Sequence, residues 1–327
     1  MSTMRAVLVF TSGGPEVVRV EEIDRPTAGV GEVLIEVRAA GMNPSDLRGR
    51  NGFADLPPQY RPSIARPSVP GADVSGVVVA VGADVTDFEV GDDVYGLVRF
   101  PPFDGRGHGR THAEYVNAPV ADLAPKPRRL DHVEAAAAPM AALTAWQQIH
   151  RAGAVLPGER VLVVGAAGGV GHFAVQLARS HGAKVVAVAS GRHEKFLREL
   201  GVDTFVDYTA DDPVTAVGTV DAVIDCVGSV GGADAARWLP AVVDGGRLNP
   251  ITLAFYPPEE LSRRGIVTVG TQVSSSGADL RALNELFDAG RLTVAIDSVY
   301  PLNEARGAHE RAERGHLRGK IVLTTTR

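Results

Sequence analysis

The sequence predicts an α/β protein in two parts, a β-rich domain followed by a doubly wound parallel-sheet domain. Three observations predict it. The apolar run Val161–Val164 leads through Gly165-Ala-Ala-Gly-Gly-Val-Gly171 into a helical apolar stripe at His172–Ser180. Short Val-rich segments separated by Gly/Pro turns fill roughly the first 120 residues. After Pro127 strands alternate with helices, the βαβ rhythm of a parallel sheet covered on both faces.

In the first part, strands are expected at Met4–Phe10, Val17–Glu22, Val33–Ala39 and Val74–Val81, with a short helix at Asn43–Arg50. The proline-rich Gly52–Pro70 and the Gly/Pro-containing Arg99–Arg110 read as long loops, the kind that often carry binding residues. Helices at Asp131–Ala138 and Pro139–Arg151 open the second part. Strands follow at 160–164, 184–189, 204–207, 220–225 and 242–248, with helices at 170–181, 193–200 and 231–238. Ile266–Gln272 is a further strand and Asp279–Ala289 a helix. The tail, a helix at Leu302–Arg314 and a strand at Gly319–Thr324, is expected to return to the first domain.

Composition narrows the class. A chain of 327 residues, 45% apolar and 22% charged, suits two ordinary globular domains. Net charge is −6 with the signs interspersed, which argues against a nucleic-acid surface. The first residues hold only five consecutive apolar positions, too few for a signal peptide, and Pro139 interrupts the Ala-rich run at 135–142, so no membrane partner is expected. Cys226 is the single cysteine, which excludes an internal disulfide and fits a reducing, cytoplasmic setting.

The glycine turn carries the chemistry. Its glycines allow a tight bend and let a pyrophosphate approach backbone N–H groups at a helix N-terminus. The tip of the next strand, Ser190-Gly191-Arg192-His193, is where a dinucleotide site selects its cofactor. An NAD site usually places Asp or Glu there for the ribose 2′-OH, and this chain has no acid until Glu194. Arg192 can instead pair with a 2′-phosphate, so the expected cofactor is NADPH; a solvated surface arginine is the alternative.

With these residues in view, the chain resembles the zinc-independent quinone oxidoreductase branch of the medium-chain dehydrogenase/reductase family. The likeness includes Gly13-Gly-Pro-Glu16, Asn43-Pro-Ser-Asp46, Pro70-Gly-Ala-Asp73-Val-Ser-Gly76 and Val90-Gly-Asp-Asp-Val-Tyr95. It continues through Ala113-Glu-Tyr-Val116, Leu143-Thr-Ala-Trp146, Pro157-Gly-Glu-Arg-Val-Leu-Val163, the glycine turn and Gly319-Lys-Ile-Val-Leu323. The resemblance implies a GroES-like catalytic domain over 1–124, completed by 299–327, and a Rossmann NADPH-binding domain over 125–298, with the active site in the cleft between them. It implies nicotinamide near Asn43 and Thr144, and pyrophosphate along Gly165, Ala166, Gly168, Gly169, Val170 and Gly171. The adenine end would lie near Ser190 and Arg192, with Tyr208 at the 2′-phosphate. Val227 and Gly228 would flank the adenine ribose, Leu248–Pro250 the nicotinamide ribose, and Lys320 joins the cofactor-binding set. Members of the branch are commonly homodimers, here through an edge strand near Ile266–Gln272.

Zinc members of that family bind metal through Cys, His and Cys, with a Glu beside the His. This chain offers Asn43, then Ala72-Asp73, and no Cys or His over residues 133–149, so no metal is expected. Without a Lewis acid, the expected substrate is an electrophilic small molecule, a quinone or enone, that accepts hydride with only hydrogen-bond help. Asn43 can donate its amide to substrate or cofactor, or serve only the Asn-Pro turn. Asp46 is expected to brace the Asn43–Arg50 helix. Tyr60 and His108, on the two long loops, are the candidate proton donors, with surface roles as the alternative; water also suffices for a hydroquinone anion. Two other functions remain open: an enoyl or 2-alkenal C=C reductase, and a non-catalytic NADPH-binding redox sensor.

Overall fold

The computed structural model describes residues 2–56, 58–102, 109–151, 155–210, 212–227, 235–252, 254–270 and 272–325. In chain order the first elements are β1 (Thr3–Val9), β2 (Val18–Asp24), β3 (Glu32–Gly41), α1 (Pro44–Arg50), β4 (Asp73–Val81), β5 (Asp93–Leu97), β6 (Tyr115–Pro119), β7 (Leu123–Pro125), α2 (His132–Ala137) and α3 (Pro139–Trp146). They continue with β8 (Arg160–Val164), α4 (Gly171–Ser180), β9 (Lys184–Ala189), α5 (Glu194–Glu199), β10 (Thr204–Asp207), α6 (Pro213–Val217), β11 (Val220–Asp225), β12 (Val242–Pro250), α7 (Pro258–Arg264) and β13 (Val267–Thr268). The last are α8 (Gly277–Asp288), β14 (Ile296–Pro301), α9 (Ala305–Glu313) and β15 (Lys320–Thr324).

The chain divides into two units: Met1–Leu143 with Val273–Gly290 and Val294–Arg327, and Thr144–Gln272 with Arg291–Thr293. In the first, strands run in the order β14-β15-β3-β4-β5-β7, with β6 also paired to β3, beside the antiparallel hairpin β1–β2. The alternation in β3 buries Val33, Ile35 and Val37 against Val74, Val78, Val94 and Val116. The tail does return here. β15 runs antiparallel to β3 with Val322 opposite Gly41, and Met42 N–H donates to Ile321 O at 3.0 Å. That register brings Lys320 to the end of β3, where α1 begins.

The second unit is a parallel sheet in the order β10-β9-β8-β11-β12-β13, the 3-2-1-4-5-6 arrangement of a doubly wound dinucleotide fold. β8 and β9 are buried on both faces almost throughout, so they read as nearly unbroken apolar runs rather than alternating ones. Leu162, Val186, Val223, Trp238 and Leu248 share its core. Strand order reverses between β8 and β11, and ligands of such sheets bind beyond the strand C-termini at that point.

Several expectations shift. The observed unit boundaries differ from 124 and 298 because α2 and α8 pack on the first unit. Ala136 and Ala137 lie against Ala39 and Val322, and the Tyr95 hydroxyl donates to Asn284 Oδ1 at 2.6 Å. Among the described residues, the strand expected at Ile266–Gln272 is only Val267–Thr268. Its neighbour β12 ends in Pro250, which has no N–H to continue the ladder. The helix expected over Pro139–Arg151 ends at Trp146 and widens into a π-helical turn, Gln147–Arg151. Of the 231–238 helix, residues up to 234 lie outside the described ones, and Ala235–Ala241 forms a 3-10 helix. Among the described residues, no helix is long and apolar enough to cross a membrane.

Candidate functional site

The glycine turn has the geometry of a phosphate cradle. Gly165, directly after β8, has φ +69°, and a Cβ there would lie 2.5 Å from Val227 Cγ2. A Cβ on Gly171 would overlap the Gly165 carbonyl oxygen and approach Ala166 Cα to 2.8 Å. Ala166 N–H donates to Val188 O at 3.1 Å and Gly168 N–H to Gly165 O at 2.9 Å, which pins the turn to the sheet. His172 Nδ1 lies 2.9 Å from Gly168 O and donates to it, fixing the start of α4. Gly168, Gly169 and Val170 are partly exposed here, while Ala166 is buried. Side chains at Gly165 and Gly171 would strike the protein's own atoms, so these glycines let the chain bend tightly into α4, a shape that fits a dinucleotide pyrophosphate at the helix N-terminus.

At the tip of β9, Ser190 is half-buried and Arg192 exposed, with Arg192 Nε 3.2 Å from His193 Nε2. Tyr208, just past β10, is 41% exposed. The fold also brings an acid to this tip that linear reading missed. Asp207 lies on the neighbouring parallel strand, opposite Ala189, and a Cβ on Gly191 would overlap its carboxylate. Asp207 Oδ1 accepts from Thr209 N at 2.9 Å and Thr209 Oγ1 at 2.7 Å. Those bonds, aided by the Gly191 N–H, hold its pKa below the usual carboxylate value.

The polar centre of the first unit forms where β3, α1, β4 and β15 meet. Asn43, Asp46, Asp73 and Lys320 are all buried there. Asp46 Oδ2 accepts from Asn43 N at 2.8 Å and Oδ1 from Gly71 N at 3.0 Å, so it braces the start of α1. The Asn43 amide turns to other partners. Its Nδ2 donates to Asp73 Oδ2 at 2.9 Å, and its Oδ1 accepts from Lys320 Nζ. Lys320 Nζ also donates to Met42 O at 2.9 Å and reaches Asp73 Oδ2 at 3.4 Å, while Met140 N–H donates to Asp73 Oδ1 at 2.8 Å. Burial pushes the Asp73 carboxyl up to about 6, against the pull of Lys320, Asn43 and the Met140 N–H. Burial likewise lowers the Lys320 pKa, and Asp73 and Asp46 oppose it.

Other expected residues fall variously. Thr144 and Leu248 are buried; Leu248 is core, and its carbonyl accepts from Val269 N at 2.9 Å. Val227 is 66% exposed beside Gly165. Tyr60 closes a short helical turn, Pro58–Tyr60, and its side chain lies outside the description, as do Gly228 and His108. Spacing alone could not pair Lys320 with Asn43, since 277 residues separate them.

A parallel 3-2-1-4-5-6 sheet carrying a glycine cradle defines a dinucleotide-binding protein, here joined to a β-rich unit with a buried polar centre. Comparison with known proteins agrees. Residues 29–128 match the family model described as the alcohol dehydrogenase GroES-like domain, and residues 200–323 the one described as zinc-binding dehydrogenase. The mitochondrial NAD(P)H oxidoreductase RTN4IP1 of Mus musculus is 33% identical, over 89% of this chain and 81% of its own length. The chloroplastic NADPH-dependent alkenal/one oxidoreductase of Arabidopsis thaliana is 33% identical, over 98% and 79%. The structure of the quinone oxidoreductase from Coxiella burnetii superposes with a TM-score of 0.86 at 32% identity, covering 99% of this chain and 100% of that one. The chain belongs to the medium-chain dehydrogenase/reductase family and resembles its quinone oxidoreductases.

One family model's description raises zinc, and the donor set at Asn43 does not fit it. The Asp73 carboxylate is spent on Asn43, Met140 and Lys320, and an ammonium stands among the acceptors a cation would need. Among the described residues, no group of three or more His, Cys, Asp or Glu side chains is placed to hold a metal.

Proposed function

We propose that this protein is an NADPH-dependent oxidoreductase that passes hydride to a quinone or enone without zinc. The observation that carries the reading is the Asn43–Asp73–Lys320 centre, a hydrogen-bonding site built around an ammonium where a metal would need anionic ligands. Bound nicotinamide would supply the hydride. One Nδ2 hydrogen of Asn43 is committed to Asp73, which leaves the second for the acceptor's oxygen. Such a donor suits an acceptor that is already electrophilic, and water can protonate the resulting anion. Gly165–Gly171 would hold the pyrophosphate, and Ser190, Arg192 and Tyr208 the 2′-phosphate end.

The name of the Arabidopsis relative supports C=C reduction of an alkenal or enone by the same residues. One observation favours a second reading, acceptance of NADH as well: the Asp207 carboxylate stands beside Gly191. A non-catalytic NADPH sensor would bind cofactor without turnover. For assembly we propose a homodimer through the edge strand β13, whose Val267 is exposed. Light scattering that gives a monomer mass would refute it.

The test of function is a stopped-flow panel at the nicotinamide absorbance, with NADPH and NADH in parallel against 9,10-phenanthrenequinone, an enal and a simple ketone. Fast oxidation of NADPH by the quinone or enal, slow NADH and an inert ketone support the proposal. Equal use of NADH sinks the 2′-phosphate assignment, and ketone reduction sinks the zinc-free one.

A further inference from the structure

A side-chain amide has two orientations that differ only by exchanging oxygen and nitrogen. At Asn43 the surroundings choose between them. An ammonium, Lys320 Nζ, faces Oδ1, and a carboxylate oxygen, Asp73 Oδ2, faces Nδ2 at 2.9 Å. Flipping the amide would set NH2 against NH3+ and carbonyl oxygen against carboxylate, replacing two charge-assisted bonds with two repulsions. The pair is itself anchored from outside. Met42 O holds the ammonium at 2.9 Å and Met140 N–H holds the far carboxylate oxygen at 2.8 Å. Asp46, a further charge facing this centre, fixes the Asn43 backbone at 2.8 Å. Gly41 leaves no slack either, since a Cβ there would come within 3.0 Å of Asp73 Cβ and Oδ2.

We propose that Lys320 and Asp73 are positioning residues, which lock the Asn43 amide in one orientation so that its second Nδ2–H is presented as a donor to the acceptor's oxygen. This rests on the reading of Asn43 given above. It also reassigns Lys320, which the sequence placed among the cofactor contacts: its ammonium is engaged by Met42, Asn43 and Asp73.

Four variants of the full chain test it: Asn43→Ala, Lys320→Met, the two combined, and Lys320→Met with Asp73→Asn. The last removes both charges together, leaves neither ion buried alone, and serves where Lys320→Met fails to fold. The readouts are NADPH affinity, kcat and KM with 9,10-phenanthrenequinone, and hydrogen exchange of the Asn43 side-chain amide by NMR, identified by its absence in Asn43→Ala. Lys320→Met should lower kcat by about tenfold or more and leave NADPH Kd within about threefold. Added to Asn43→Ala, it should cost less than about threefold further, because both changes remove one device. The Asn43 amide should exchange about tenfold faster or more in Lys320→Met and in the charge-free pair. A tenfold-weaker NADPH affinity in Lys320→Met, fully additive losses, or unchanged amide exchange would each overturn the proposal. If Asn43→Ala keeps full turnover, the catalytic reading of Asn43 fails, while the exchange rates still decide whether the lock exists.

Discussion

Acidification should destabilise this fold through one buried histidine. His309 lies on α9 with no exposed surface, and its Nδ1 sits 3.2 Å from an Arg50 guanidinium nitrogen. Arginine only donates, so Nδ1 is the acceptor and the ring is neutral. Arg50 also donates to Gly13 O at 3.0 Å and pairs with Glu313, so α9 anchors the end of the helix that begins beside Asn43. Burial first, then the neighbouring His112 and Arg50, push the His309 pKa down from 6.5 to about 3. The sign follows from this depression. The unfolded chain takes up a proton near 6.5 that the folded chain refuses, so the contribution is complete above 6.5 and is lost as pH falls toward 3. Between about pH 7.5 and about pH 5 the loss amounts to about 2 kcal/mol. The assay is urea unfolding at both pH values for wild type and His309→Gln, whose amide oxygen still accepts from Arg50. Wild type should lose about 2 kcal/mol more than the variant over that interval. Asp73, raised to about 6, contributes in the opposite sense, but it is present in both proteins and cancels. Parallel pH dependence in the two proteins would refute the reasoning.

Three other outcomes are expected. Gly171→Ala, whose methyl would overlap the Gly165 carbonyl oxygen, should cost about 1–3 kcal/mol and weaken dinucleotide binding by about tenfold or more; thermal melts with and without cofactor check both. Arg192→Ala should weaken NADPH by about ten- to a hundredfold and NADH by less than about twofold, and fluorescence titration with each cofactor would show otherwise if the two fell together. Cys226, half-buried just after β11, should react slowly with an aromatic disulfide reagent in the native protein near about pH 8 and faster once unfolded, because desolvation and the Asp225 carboxylate raise its pKa. Rapid labelling of the native protein would contradict that.

Local pattern made much of this legible. The unbroken apolar runs of β8 and β9, the glycines between β8 and α4, and the Val-rich segments of the first unit each state their structure within a dozen residues. Order and spacing of motifs then pointed to the family, and Asn43-Pro-Ser-Asp46 announced a helix start. The short strands β5, β6, β7 and β14 escaped, since three to six residues give too few repeats for a period to stand out. Ile266–Gln272 looked like a full strand because its own residues favour one. What shortens it is Pro250 in a neighbouring strand, which the segment itself cannot reveal.

By itself the sequence determined the two-part α/β architecture, the glycine turn between β8 and α4 and the absence of an acid within the tip of β9. Each of these depends on residues that are neighbours along the chain. Tertiary structure alone decided that Asp207 stands at that tip, because parallel strands align residues that a helix separates. It alone decided that Lys320 reaches Asn43, because the antiparallel register of β15 on β3 closes a gap of 277 residues. Strand register and burial set those meetings, and neither is carried by any short stretch of sequence.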